Sequence, residues 1–246
     1  MAKQAKTDRQ AVIESIRSRQ KSEERRRGLM IVGVCAIVAL LIVGLAAYRP
    51  IKNWWDLRQF RDVAIDKIGA AASVCEKPTT KKATGNQQHV PDGQAIFYND
   101  APPAFGEHYN TPDPMERKLY STGDRPELGT LVHNLEHGYT IVWYDETIAD
   151  DTEQMSQLRG IADKFAGTGN LRFKFKAVPW TEGDGKAFPD GQHIAFTHWS
   201  IGGADEDPSG DKQVGVWQYC SAVSGDALNT FMLDYPYMDS PEPNGA

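Results

Sequence analysis

The sequence predicts an α+β fold: a single transmembrane helix followed by one extracytoplasmic α+β domain with a small antiparallel or mixed sheet. Three observations point to it. Residues 28–48 form an uncharged apolar run of 21 residues. Residues 151–167 and 224–235 carry apolar stripes at helical spacing. Short β-rich runs at 139–144, 171–178, 192–200 and 213–219 fall around those stripes, in an order that is roughly βαββα.

The N-terminal segment, residues 1–27, holds nine Lys/Arg against four Asp/Glu, a balance of +5. Residues 49–246 hold the other 18 bases and 29 acids, a balance of −11. Nucleic-acid binding needs a basic footprint, so the acidic part is a poor candidate for it. Residues 7–27 read as helical, with Val12, Ile13 and Ile16 on one side. A solvated tail that sets topology is the plainer reading, and attraction to an anionic inner leaflet is the other.

Residues 28–48 span about 31 Å as a helix, enough to cross the hydrocarbon core of a bilayer. Arg25, Arg26 and Arg27 abut one end, and only Arg49 and Lys52 lie close to the other. The positive-inside rule then puts the N-terminus in the cytoplasm and the domain outside the membrane, in the periplasm or its equivalent. Trp54 and Trp55 follow the span, where interfacial aromatics belong. A cleaved signal peptide is the competing reading, but its apolar region is normally about 7–15 residues long. The predicted organisation is a basic segment (1–27), a transmembrane helix (28–48), a membrane-proximal helix (49–75) and the α+β domain (76–246).

Within that frame, Trp54, Leu57, Ala64 and Ile68 recur at helical spacing, with Phe60 and Val63 widening the stripe, so 51–74 reads as a second helix, either continuous with the first or broken at Pro50. Residues 76–95 are polar with Gly and Pro and read as a loop or linker, in which His89 is solvated. Residues 96–130 read as a long irregular loop packed on the domain through Phe97, Tyr98, Phe105 and Tyr109. A short helix over about 126–137 stops at Gly138, a residue suited to the position after a helix end. "YTIVWY" (139–144) is a strand. "LRFKFKAV" (171–178) alternates Leu171, Phe173 and Phe175 with Arg172, Lys174 and Lys176, as a half-buried strand does. Trp143, Trp180, Trp199 and Trp217 are expected in the core. His193 and His198 are five apart and face opposite sides of a strand, with His198 a satisfied core histidine. Ser224 or Asp226 caps the last helix, and the tail from Pro236 is turn-like.

Of three cysteines, Cys35 lies within the apolar span. Cys75 and Cys220 lie in the exported part, where disulfides persist, so one Cys75–Cys220 bridge is expected, with two buried thiols as the alternative.

The chemistry concentrates in "HNLEH", where His133 and His137 are four apart and share a helix face with Glu136. HxxEH is the pattern of inverted zinc peptidases, in which two histidines hold zinc and the glutamate is the base. The context opposes that reading: Gly138 ends the helix at once, a strand follows, and no downstream acidic ligand is evident. His108, beside Glu107 in the Pro/Gly loop, offers a third nitrogen, making His108, His133 and His137 a candidate zinc or copper site with Glu136 supporting the ligands from behind. A hydrogen-bonded structural cluster at a helix end is the plainer alternative, with Glu136 paired to Arg125 or a loop amide. A small polar ligand is the third.

"PPAFGEHY" (102–109) and "HNLEHGYTIVWYDE" (133–146), with "QLRGIADKF" (157–165) and the closing "GVWQYC" and "FMLDYPYMDSPEPNG", resemble the bacterial membrane proteins grouped as domain-of-unknown-function family 3105, common in actinobacteria. The loop motif matches at Pro102, Pro103, Gly106 and His108, and the helix-end motif at His133, Leu135, Glu136, His137 and Gly138. Residues 180–212 read as an insertion relative to that pattern. The resemblance covers about 89–242. It implies a single-span envelope protein with an extracytoplasmic domain and brings no activity with it, though both motifs supply histidine.

The sequence thus favours a non-enzymatic accessory subunit, bound to the lipid membrane and to a transport or respiratory membrane complex of the cell envelope. A zinc- or copper-binding envelope protein is the alternative, and a metal-dependent hydrolase with Glu136 as base is the weakest of the three. No catalytic residue is assigned.

Overall fold

A computed structural model describes residues 2–208 and 211–245; the side chains of residues 2–12, Ser15, Arg49 and Asn53 are also outside the description. The chain divides after Asp56 into two compact units.

The first unit is a helix. Helix α1 runs over Ala2–Leu57 and passes through Pro50 without ending. Among the described residues it is the one helix long and apolar enough to cross a membrane. Its apolar surface is not confined to a stripe: Leu40, Leu41, Ile42, Val43 and Leu45 are all exposed. A helix apolar all round needs an apolar solvent, which fits a membrane anchor or a signal sequence. The N-terminal stripe expected at Val12 lies outside the described side chains, and its neighbours Ile13 and Ile16 are exposed.

The second unit starts at Leu57. The second helix expected over 51–74 is corrected here. Regular helix stops at Leu57, and short 3-10 turns follow at Arg58–Phe60, Ile65–Lys67 and Ala72–Val74. Gly69, at φ +83°, cannot belong to a right-handed helix. The apolar spacing served packing instead. Ile68 is buried in the core, with Phe60, Val63 and Ile65 packed against it.

A five-stranded mixed sheet organises the rest. Its strands are β1 (Thr79–Lys82), β4 (Thr140–Tyr144), β5 (Phe175–Pro179), β6 (Ile194–Ser200) and β7 (Val214–Cys220), in the order β1-β7-β6-β4-β5. Strands β4 and β5 pair in parallel and the other pairs are antiparallel. The parallel pair is joined by helices α3 (Glu146–Asp150) and α4 (Thr152–Lys164). Asp151 starts α4 by accepting the N–H groups of Glu153 and Gln154, the arrangement an N-cap carboxylate favours. Residues Ile194–Ser200, inside the segment read as an insertion, form a central strand of the sheet.

The sheet is covered on both faces, which explains why "YTIVWY" is apolar without alternation. Val142, Phe175, Phe196 and Val216 meet Leu158 and Ile161 of α4 and Leu228 and Phe231 of α5 (Gly225–Asp234). On the opposite face Ile141, Trp143, Ala195 and Trp199 meet Leu131, Val132 and Leu135 of α2 (Leu128–Glu136). All four expected core tryptophans are buried. Ser224 caps α5, accepting from the Ala227 N–H.

Residues 76–95 are mostly loop, as expected, but two short strands tie them to the domain. Strand β1 extends the sheet, and β2 (His89–Val90) pairs in parallel with β3 (His108–Tyr109), which sets His89 opposite His108. A Cys75–Cys220 disulfide closes a separation of 145 residues just ahead of β1.

The alternating run at 171–178 also differs from expectation. Leu171–Phe173 is a 3-10 turn and the strand begins at Phe175. Lys174 and Lys176 are 1% and 0% exposed. Alternation reports which face a side chain takes, and here the polar face is covered by loop and tail. The Lys176 ammonium pairs with Asp113 and donates to Pro114 O at 2.8 Å. Lys174 donates to three carbonyls, His137 O, Pro243 O and Gly245 O, at 2.8, 3.0 and 2.8 Å. Both ammonium groups are buried, yet each is surrounded by oxygen acceptors, which is what burial of a cation demands.

Candidate metal centre

Four histidines and one carboxylate gather where α2 ends. Helix α2 brings His133 and His137 to one face, as their spacing requires. The helix stops because Gly138 takes φ +86°, a C′ conformation that also brings its backbone against Tyr237 O. Strand β3 brings His108 and strand β2 brings His89. Ring centroids lie 4.4 Å apart for His133–His137, 5.1 Å for His108–His133, 4.5 Å for His89–His108 and 4.8 Å for His89–His133.

Candidate ligand atoms fall into two mutual groups that share His133: His89, His108 and His133, and His133, Glu136 and His137. The sequence-predicted trio of His108, His133 and His137 is not one mutual group: His108 falls in the first, His137 in the second, and His133 is common to both. His89 was missed. Its signal is absent from the sequence because a two-residue strand shows no periodicity, and only the β2–β3 register places it.

The back of the site orients the rings. His133 Nδ1 lies 2.6 Å from Tyr109 O, and His108 Nδ1 lies 2.8 Å from Gly106 O. A carbonyl can only accept, so both rings carry their proton on Nδ1 and present a bare Nε2 lone pair when neutral. Carbonyl-anchored imidazoles of this kind are the usual support of metal-ligating histidines. In front, His133 Nε2 lies 3.0 Å from His137 Nε2. Ligands of one tetrahedral zinc, each about 2.05 Å from the ion, sit roughly 3.3 Å apart, so this spacing is near that of two ligands on a shared ion.

Glu136 does not pair with Arg125, which pairs with Asp184 at 2.6 Å. Instead Glu136 Oε2 lies 2.9 Å from His108 Nε2 and 3.7 Å from His89 Nε2. The His108 contact is close but not aligned as a hydrogen bond, so the two buried atoms are otherwise unsatisfied. Such pairs of misaligned buried polar atoms are exceptional and suit a third participant.

Burial and ring neighbours set the protonation pattern. Burial pulls His133 down to about 4, and the neighbouring His137 and His108 add to the effect. Burial also pulls on His108, but Glu136 and the Gly106 carbonyl outweigh it and leave this ring raised. Burial pushes Glu136 up, while His108, His89 and His133 together hold it below the usual carboxylate range. His133 is thus a neutral imidazole at pH 7, the form that binds metal.

The C-terminal tail closes one side. Glu242 N–H donates to Glu136 O at 2.9 Å, and Glu242 Oε2 lies 3.5 Å from His137 Nε2. A Cβ on Gly245 would come within 2.5 Å of the His137 ring. Asp239 anchors the tail by accepting from Ser200 Oγ, Ile201 N–H and Gly203 N–H at 2.7, 3.0 and 2.8 Å. His198 stays outside the cluster, fully buried with Nε2 2.7 Å from Asp239 O.

Compared with known proteins, the chain matches over residues 89–245 the family described as "Protein of unknown function (DUF3105)". Neither the curated proteins nor the solved structures contain a match. The matched range begins at His89 and includes every residue of the cluster.

Proposed function

Because the chain belongs to the DUF3105 family, whose description carries no activity, we propose its function from geometry: a membrane-anchored envelope protein whose domain holds one zinc or copper ion outside the cytoplasm. The observation that supports the ion is the His133–His137 Nε2 separation of 3.0 Å together with the His133 Nδ1 contact to Tyr109 O. Two lone pairs that close repel unless a proton or a cation lies between them. His133 is the central ligand, His137 and His108 flank it, and His89 and Glu136 complete or support the set. Imidazole-rich sites suit zinc and copper alike.

An uncleaved α1 anchor, an N-terminus in the cytoplasm and an oxidising compartment for the domain belong to the same proposal. They are supported by the +5 balance of residues 1–27 and by the Cys75–Cys220 disulfide. A reporter fused after residue 246 should be active only outside the cytoplasm. The accessory role in a transport or respiratory complex is the second reading, favoured by Phe97, which is 91% exposed. It predicts co-purification with larger membrane proteins that survives loss of His133.

The deciding experiment is elemental analysis of the full chain, purified in mild detergent without a polyhistidine tag, beside a His133→Ala/His137→Ala variant. Near one equivalent of zinc or copper, lost in the variant, supports the centre. A metal-free parent that takes up neither ion on addition makes "HNLEH" a structural helix end.

A further inference from the structure

A second feature is lined by no histidine side chain, although it borders the end of α2 through Gly138 and through Lys174, which donates to His137 O. A cavity of about 710 Å³ opens among the turn at 63–65, the end of α4, the turn before β5, and the end of α5 with the segment after it. Its apolar walls include Phe165, Phe173, Met232, Leu233 and Met238. Leu233 and Met238 are exposed at 69% and 39%, so apolar surface continues from the cavity to solvent. The volume is within the roughly 300–1,000 Å³ of small-molecule sites, and methionine walls adapt to flexible chains.

The charge around the cavity is one-sided. Lys164, Arg172 and Lys174 line it, and no Asp or Glu does. This occurs in a chain whose residues 49–246 carry a balance of −11. Lys164 donates to Phe60 O and Arg61 O at 2.6 and 2.9 Å, and Lys174 donates only to carbonyls. Carbonyl oxygens satisfy hydrogen bonds but do not cancel charge. Arg172 is exposed and has no ion-pair partner among the described residues. An apolar cavity with uncompensated cations asks for a ligand with an apolar body and an anionic end. A protein segment would bring backbone polar groups that these walls leave unsatisfied.

We propose that this cavity binds a single-chain anionic amphiphile, a fatty acid, with its chain among Phe165, Phe173 and Met232 and its carboxylate toward Arg172 and Lys164.

The test uses the full chain in phosphatidylcholine nanodiscs and a palmitic acid carrying a diazirine on its chain. After irradiation, cross-links mapped by mass spectrometry should fall on the peptides that contain Phe165, Phe173 or Met232. Excess unlabelled palmitate should reduce them by about tenfold. The matching fatty alcohol probe, which lacks the charge, should label the same peptides several-fold less. Arg172→Glu, at an exposed position, should weaken labelling by the acid and leave labelling by the alcohol unchanged. Met232→Trp fills the cavity and should reduce both. Cross-links confined to 28–48, or equal labelling by acid and alcohol in the parent, would overturn the proposal.

Discussion

His133 Nε2 and His137 Nε2 stand 3.0 Å apart at the end of one helix, and the far nitrogen of His133 is tied to Tyr109 O. If that geometry serves an ion, adding zinc or copper to metal-free protein should raise its thermal midpoint. At a hundredfold excess over the dissociation constant the gain is about 2.7 kcal/mol. His133→Ala should abolish the gain. An equal gain in the variant would place the ion elsewhere.

His89 makes a graded prediction. It is the exposed member of its group, on a two-residue strand, beside His108 and His133. His89→Ala should weaken metal affinity by roughly 10–100-fold, the effect of losing a supporting rather than a central group. Competition titration against a chelator reads this out, and affinity equal to the parent's would remove His89 from the site.

The Cys75–Cys220 bridge closes 145 residues. Cys75→Ala/Cys220→Ala should cost about 2–5 kcal/mol in denaturant unfolding. In the untreated parent, mass analysis should find neither Cys75 nor Cys220 alkylated before a reductant is added.

Gly138 is held at φ +86° with its backbone against Tyr237 O. Gly138→Ala should destabilise by at least about 2 kcal/mol, from the left-handed conformation and the contact together. A midpoint within experimental error of the parent's would contradict the account of how α2 ends.

Lys118 gives a pH dependence remote from the histidines. It is 5% exposed and donates to Phe173 O at 2.7 Å. Burial, with Lys176 nearby, pulls it down to about 8 from an ordinary 10.5. Below pH 8 both folded and unfolded chains hold this proton, so the cost of the buried charge is fully present. Between pH 8 and 10.5 the folded chain releases it first, so the unfolded chain binds more protons and stability rises with pH. From pH 8 to 9.5 the rise should be on the order of 1–2 kcal/mol. Lys118→Met should remove this share of the rise and leave the share from Lys174, which burial also pulls down to about 8.

Much of the fold was legible in local pattern. The stripe of Met155, Leu158, Ile161 and Phe165 marked α4, and "YTIVWY" marked a strand. His133 and His137 were visible as a pair because helical spacing is local information. His89 was not, because its place depends on β2 lying along β3, a pairing of two residues with no pattern of their own. Lys174 and Lys176 misled for a related reason: their burial is set by carbonyls at 114, 137, 243 and 245 and by Asp113, all distant in sequence. The stripe at 51–74 misled on the backbone and on part of the face: Phe60, Val63 and Ile68 reach the core from successive turns, while Trp54 and Ala64 are exposed.

The tail contacts set an order of events. The cluster runs from His89 to Gly245, and its last contributors are Glu242, donating to Glu136 O, and Gly245, packed on the His137 ring. In a chain still being synthesised, the first histidines emerge long before residue 245. Those early histidines then lack the wall that closes their pocket. An ion captured at that stage would meet a half-built cage open to water and to competing ligands. If the cluster holds an ion, lasting occupancy therefore belongs to the domain with Glu242 and Gly245 in place, and this segment serves as the last stave of the barrel.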